Sequence, residues 1–183
     1  MYYKNGDKYE GDFINNKREG NGIIYYNNGD RYKGYFKDDL YEGYGILKFK
    51  NGDQYEGDFK YGKYNGNGIL KFKNGDRYDG NFINGIYNGN GIFYYYKNYI
   101  YKGIYKNGKK EGKGIIDYSN GNKYEGDFIN DLKNGRGIMY YNNGDKYEGY
   151  WKNDEKEGKG IYYSKNGTQP EDNFKNKENK NNE

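Results

Sequence analysis

The chain has no cysteine and no histidine. The first absence excludes disulfide staples, thiolate nucleophiles and thiolate metal sites. The second removes the commonest acid/base group and the commonest metal ligand. A non-enzyme without a cofactor is therefore expected. No stretch approaches the ~20 apolar residues of a membrane-spanning helix, and residues 1–7 lack the apolar run of a secretion signal. A cytoplasmic setting follows as the expectation, at the cytoskeleton or the membrane periphery. Apolar residues make up only 32% of the 183, with a single proline. The mean hydropathy of -1.47 would by itself suggest a disordered chain.

What is present argues against disorder. The 28 tyrosines, 9 phenylalanines and 1 tryptophan can bury a ring while leaving a polar edge wet, so a thin, one-layer structure can fold. The net charge of +4 arises from 31 basic and 27 acidic residues. That mild excess permits contact with anionic surfaces without requiring it, and no nucleic-acid partner is expected.

The aromatics are periodic. Tyr9, Tyr32, Tyr55, Tyr78, Tyr101, Tyr124 and Tyr147 recur every 23 residues over seven copies. Counting that tyrosine as position 1, position 3 is always Gly. Position 5 is always aromatic: Phe13, Phe36, Phe59, Phe82, Tyr105, Phe128 and Trp151. Positions 12 and 14 are always Gly and position 15 always Ile, from Ile23 to Ile161. A period of this length marks a repeat protein.

The unit YEGxF, a polar loop, GxGI, a short apolar run and NGD resembles the MORN repeat over residues 2 to 167. The resemblance implies an all-β, elongated, single-layer antiparallel meander of consecutive hairpins, twisted and curved. It also implies a scaffold in protein assembly, in some cases at membranes. The array spans residues 1–167, with a half-repeat at 2–8 before the seven full ones. Residues 168–174 look like a decayed YEGxF strand that caps the sheet, with Pro170 at position 1. Residues 175–183 form a polar tail expected to be disordered.

Parity sets the hairpin. Positions 1, 3 and 5 share one face of the first strand, and positions 12, 14, 16 and 18 share one face of the second. Paired residues of antiparallel neighbours lie on the same face, so the loop within a repeat must hold an even number of residues. The loop between repeats must hold an odd number, because the period is odd. NGD is therefore expected in a three-residue loop, a type I turn followed by a left-handed glycine. The inner loop is expected to span about four residues, positions 7 to 10, placing position 5 opposite 12 and 3 opposite 14. Rings would then cover glycines. The alternative reading of Asp7, Glu10 and Asp12 as a cation loop fails on spacing, because Lys8 and Tyr9 stand where oxygen ligands belong.

Departures between copies carry the functional expectations. Leu40, Tyr41, Tyr61, Tyr64, Ile86 and Tyr87 in the inner loops, with Tyr96 and Tyr99 in the variant joint YYYKNYIYKG, form a candidate protein-binding surface. Lys109, Lys110, Lys113, Lys133, Arg136, Lys152, Lys156 and Lys159 form a candidate anionic-lipid surface, with a solvated charged edge as the plainer reading. The primary expectation is a non-catalytic scaffold for an unidentified protein partner or for a second copy of the chain. Peripheral binding of anionic phospholipid head groups is the alternative.

Overall fold

The computed structural model describes residues 1–168 and the backbone of 172–174. Pro170 and the tail at 175–183 fall outside the described residues. Every element is a β-strand, and the residues group into two compact units, Met1–Tyr96 and Lys97–Glu183. The boundary falls inside the variant joint.

Unit 1 holds β1 (Lys8–Ile14), β2 (Lys17–Tyr25), β3 (Arg31–Lys37), β4 (Leu40–Lys48), β5 (Gln54–Lys60), β6 (Lys63–Lys71), β7 (Arg77–Ile83) and β8 (Ile86–Tyr95). Unit 2 holds β9 (Tyr99–Lys106), β10 (Lys109–Tyr118), β11 (Lys123–Ile129), β12 (Leu132–Tyr140), β13 (Lys146–Lys152), β14 (Glu155–Ser164), β15 (Gly167–Thr168) and β16 (Asp172–Phe174). Within each unit β1–β8 and β9–β14 run as an antiparallel meander. β16 pairs with β14, with Phe174 opposite Gly158.

The hairpin register corrects the expected inner loop. Its length is even, but it holds two residues rather than four. Asn15 and Asn16, both at positive φ (49° and 63°), connect Ile14 to Lys17 as a two-residue hairpin turn. The two residues thereby left over become a bulge. Gly11 faces Gly22, but Asp12 faces Glu19, so Gly20 and Asn21 have no partner in β1. They pair onward instead, Gly20 with Phe36 and Asn21 with Tyr35. Position 3 thus meets position 14 as expected, while position 5 meets position 10 within the repeat and position 12 of the preceding one. Only the left-handed backbone of position 12 (φ 60 to 107°) requires glycine there, because that residue starts the bulge.

The joint between repeats has the expected form. The Gly29 N–H donates to the Tyr26 carbonyl (2.9 Å), the Tyr26 N–H donates to the Asp30 carbonyl (2.9 Å), and Gly29 is left-handed at 94°. Gly6 adopts the same conformation at 90°. Asp30 then ties successive joints together: its Oδ1 accepts the Lys50 N–H at 2.8 Å, as Asp53 accepts that of Lys73.

The core lies on one face. Each position-1 tyrosine is fully buried and lies across the paired glycines of positions 3 and 14. A Cβ added at Gly34 would sit 2.6 Å from the Tyr32 Cζ, and one at Gly45 would sit 2.6 Å from its Cε2. These glycines supply space where position 12 supplies backbone conformation. The tyrosine hydroxyl donates to the position-4 carbonyl beside the bulge, as in Tyr55 to Asp58 at 2.8 Å and Tyr78 to Asn81 at 3.0 Å. Phenylalanine could not do this. Position-5 rings fill the gaps edge-on: Phe36 lies 5.1 Å from Tyr32 and 5.1 Å from Tyr9. Such pairs add roughly 0.5–1.5 kcal/mol each beyond area burial. Phe13 meets the Tyr9 ring edge-on at 5.1 Å but, in the first strand, stays 39% exposed, so it is an outer ring rather than the buried rung expected.

Candidate partner-binding faces

A second layer sits on the buried tyrosines, and position 10 builds it. That position reads Arg18, Tyr41, Tyr64, Tyr87, Lys110, Lys133 and Lys156 from the first repeat to the last. The two-residue turn and the pairing of position 10 with position 5 bring its side chain over the position-1 ring. In unit 1, Tyr41 stacks on Tyr32 at 3.7 Å, Tyr64 on Tyr55 at 3.7 Å and Tyr87 on Tyr78 at 4.0 Å. The Tyr41 hydroxyl also meets that of Tyr26, at position 18 of the previous repeat. Burial pushes the hydroxyls of Tyr64 and Tyr87 up to about 12, and those of Tyr32, Tyr41, Tyr55 and Tyr78 higher still.

In unit 2 the same position is cationic. The Lys133 ammonium lies 4.9 Å from the Trp151 ring centroid, 5.3 Å from Tyr124 and 5.8 Å from Tyr118. Lys156 lies 4.1 Å from Tyr147, and Lys110 5.3 Å from Tyr101. Lys110 is only 6% exposed and donates to the Tyr99 hydroxyl at 3.0 Å. Burial holds the Lys133 ammonium below its ordinary range, outweighing the attraction of Asp154.

The opposite face carries the half-buried isoleucines of position 15 and the side chains of positions 2, 4 and 13. In unit 2, Lys113, Arg136 and Lys159 border a shallow groove of about 410 Å³ with Glu148, Tyr150 and Ile161. Lys113 is paired with Asp127 at 2.7 Å, and the Arg136 Nε donates to the Tyr150 hydroxyl at 3.0 Å. Acids of this face are also engaged locally: Asp58 and Asp127 accept the N–H groups of Asn67 and Arg136 at the bulge, each at 3.1 Å. Among the described residues no group of acids is arranged to hold a metal ion.

The expected surfaces therefore divide differently. Leu40, Ile86, Tyr61 and Tyr96 are exposed and Tyr99 is half-buried, whereas Tyr41, Tyr64 and Tyr87 belong to the aromatic face rather than to loops. The eight cations do not form one edge. Lys110, Lys133 and Lys156 lie over rings on the aromatic face, and Lys113, Arg136 and Lys159 lie on the other. Lys109 and Lys152 are exposed beside the inner turns. The two-residue turn is the reason, since it places position 10 inside a strand. Aligning position 10 across the copies would have revealed the row in the sequence.

A one-sided sheet of glycine-hinged hairpins with an aromatic ladder defines a β-repeat protein. The chain belongs to the MORN-repeat family: the MORN repeat profile matches residues 9–31, 32–54, 55–77, 78–98, 101–123, 124–146 and 147–169. Among solved structures it is similar to the TCP domain of SAS-4 (dCPAP) of Drosophila melanogaster in complex with a proline-rich motif of Ana2 (dSTIL). The TM-score is 0.55 at 15% identity, covering 90% of this chain and 94% of that one. It is also similar to the TCP10 domain of Danio rerio CPAP, with a TM-score of 0.52 at 11% identity, covering 91% and 78%. At these identities the likeness is one of fold. A search of curated proteins found no match.

Proposed function

We propose that the chain is a non-catalytic cytoplasmic scaffold whose aromatic face holds an extended segment of a protein partner. The observation that carries this reading is the row of Tyr41, Tyr64 and Tyr87, half-buried at one register of successive hairpins and each stacked on a buried ring. Hairpins recur every two strands, ~9.6 Å. A polyproline II segment advances ~9.3 Å per turn of three residues, so every third residue meets the next ring. Such segments dock on aromatic-lined surfaces at low entropic cost. The proline-rich motif bound to the similar Drosophila domain fits the same mode.

The test is fluorescence anisotropy of a labelled peptide with the repeat Leu-Pro-Pro, titrated with the full chain. Saturable binding that weakens about tenfold in Tyr64→Ala supports the reading, consistent with loss of one stacked aromatic anchor. Absence of binding, or binding indifferent to Tyr64→Ala, overturns it. Light scattering at tens of micromolar decides whether a second copy occupies this face instead.

A further inference from the structure

We propose that Arg31, Lys33 and Lys48, on the face of β3 and β4 opposite the aromatic ladder, form a binding site for a phosphomonoester dianion. The site lies within unit 1 and does not depend on the reading of the aromatic face.

The hairpin register brings the three cations together. Arg31 pairs with Lys48 and Lys33 with Ile46, and the four side chains line a small cavity of about 180 Å³. Like charges directly opposite one another destabilise a sheet. Elsewhere the same four positions of the hairpin include an acid. Lys8 meets Glu10 at 2.5 Å, Arg77 meets Asp79 at 2.7 Å, Lys102 meets Asp117 at 3.8 Å, Lys123 meets Glu125, and Lys146 meets Glu148 at 3.3 Å. In the third copy Glu56 stands diagonal to the lone cation Lys71. The second copy has three cations and no acid.

Arg31 and Arg77 make the comparison direct. Each guanidinium lies over a tyrosine ring, 5.2 Å from Tyr25 and 5.4 Å from Tyr94, and each keeps a buried Nε without a hydrogen-bond partner. Arg77 donates to the Asp79 carboxylate two residues on, where Arg31 finds Lys33. Among the described residues, no carboxylate lies within ion-pair distance of Arg31, Lys33 or Lys48. The acids across the flanking strands are engaged. Glu10 is bonded to Lys8, with Arg31 adding only a weaker attraction, and Glu56 accepts the Tyr44 hydroxyl at 2.6 Å.

An anion entering from solvent would take the place that the Asp79 carboxylate holds in the fourth copy. Three cations match a phosphomonoester, which carries about −1.5 to −2 charge near neutral pH and offers three acceptor oxygens to an arginine fork and two ammonium groups. A phosphorylated side chain presents that dianion singly. A bilayer presents it within a sheet of negative charge, which Glu10, Glu56 and Asp58 on the same face would repel.

The test is heteronuclear NMR of the full chain titrated with the peptide Gly-Gly-phosphoserine-Gly-Gly, its unphosphorylated form, inorganic phosphate, and phosphatidylcholine vesicles containing a phosphatidylinositol monophosphate. The phosphopeptide should give saturable shifts centred on β3 and β4 that weaken as salt is raised, and the unphosphorylated peptide none. Lys33→Glu supplies the acid that Asp79 provides in the fourth copy, so it should weaken the phosphopeptide about tenfold without lowering the melting temperature. Lys33→Arg should retain binding. Displacement of the peptide by equimolar inorganic phosphate supports recognition of the phosphate group alone, and tighter binding of the peptide supports a phosphorylated side chain as its source. Shifts spread over the whole sheet, or indifferent to Lys33→Glu, overturn the proposal. Retention on the vesicles through Lys33 with no response to the phosphopeptide overturns it as well.

Discussion

The two units share a frame and differ in what covers it. Tyr55 in unit 1 and Tyr124 in unit 2 are both fully buried, both lie across a pair of glycines, and both donate a hydroxyl to the position-4 carbonyl. Above them stands a tyrosine ring in one case and an ammonium in the other. The frame is thus indifferent to the layer above it. The variable layer and the shape-giving frame are carried by separate positions of a single 23-residue unit.

Alkaline titration separates the units most strongly. Folded tyrosines with raised pKa contribute stability that is fully present below the unfolded value of about 10 and is lost as pH rises through their folded values. In unit 1, Tyr41, Tyr64 and Tyr87 add to Tyr32, Tyr55 and Tyr78. Hydrogen exchange followed from pH 9 to 12, corrected for intrinsic rates, should show protection failing first in β3–β8. Equal loss in β9–β14 would mean that Tyr101, Tyr118 and Tyr124, raised by burial in unit 2, weigh as much as the larger set in unit 1.

Next in size is the shared frame. Gly68→Ala and Gly137→Ala each drive a Cβ into the covering tyrosine, to 2.6 Å from its Cζ. Each should cost about 3 kcal/mol in denaturant melts, and by similar amounts, because the collision is the same. Gly135→Ala meets only the Asp127 side chain but sits at φ +98°, so a smaller loss of about 1–2 kcal/mol is expected. A reversed order would show that conformation outweighs space.

Tyr55→Phe and Tyr124→Phe delete one buried hydroxyl donor and should each cost about 1 kcal/mol. The smallest effect is expected for exchanging the caps. Tyr64→Lys and Lys133→Tyr should each shift stability by less than about 1 kcal/mol, since both residue types cover the ring.

Much of this was legible in the residues. The 23-residue spacing gave the hairpin count, and parity gave the odd joint with a left-handed Gly29. The even inner loop was legible in kind but not in length. Asn15-Asn16 and Asp38-Asp39 are good two-residue turns, since both residue types tolerate left-handed backbone. Gly20, however, reads the same whether it starts a bulge or a strand, so the residues at positions 9 and 10 were read as loop. Misplacing them put Tyr41 and Lys133 on an edge and merged cations of opposite faces into one surface.

The sequence alone determined the repeat, its all-β character, the one-sided burial of tyrosine against glycine and the absence of thiol and imidazole chemistry. These follow from residue type and spacing, which are local properties. The tertiary structure alone decided that position 10 stacks on position 1, because the choice depends on where two surplus residues leave the ladder. Once Gly20 and Asn21 pair onward to β3 instead of back to β1, Arg18 is carried over the aromatic face, with its guanidinium 5.1 Å from the Phe36 ring. The same step sets Tyr41 on Tyr32 and Lys133 on Tyr124.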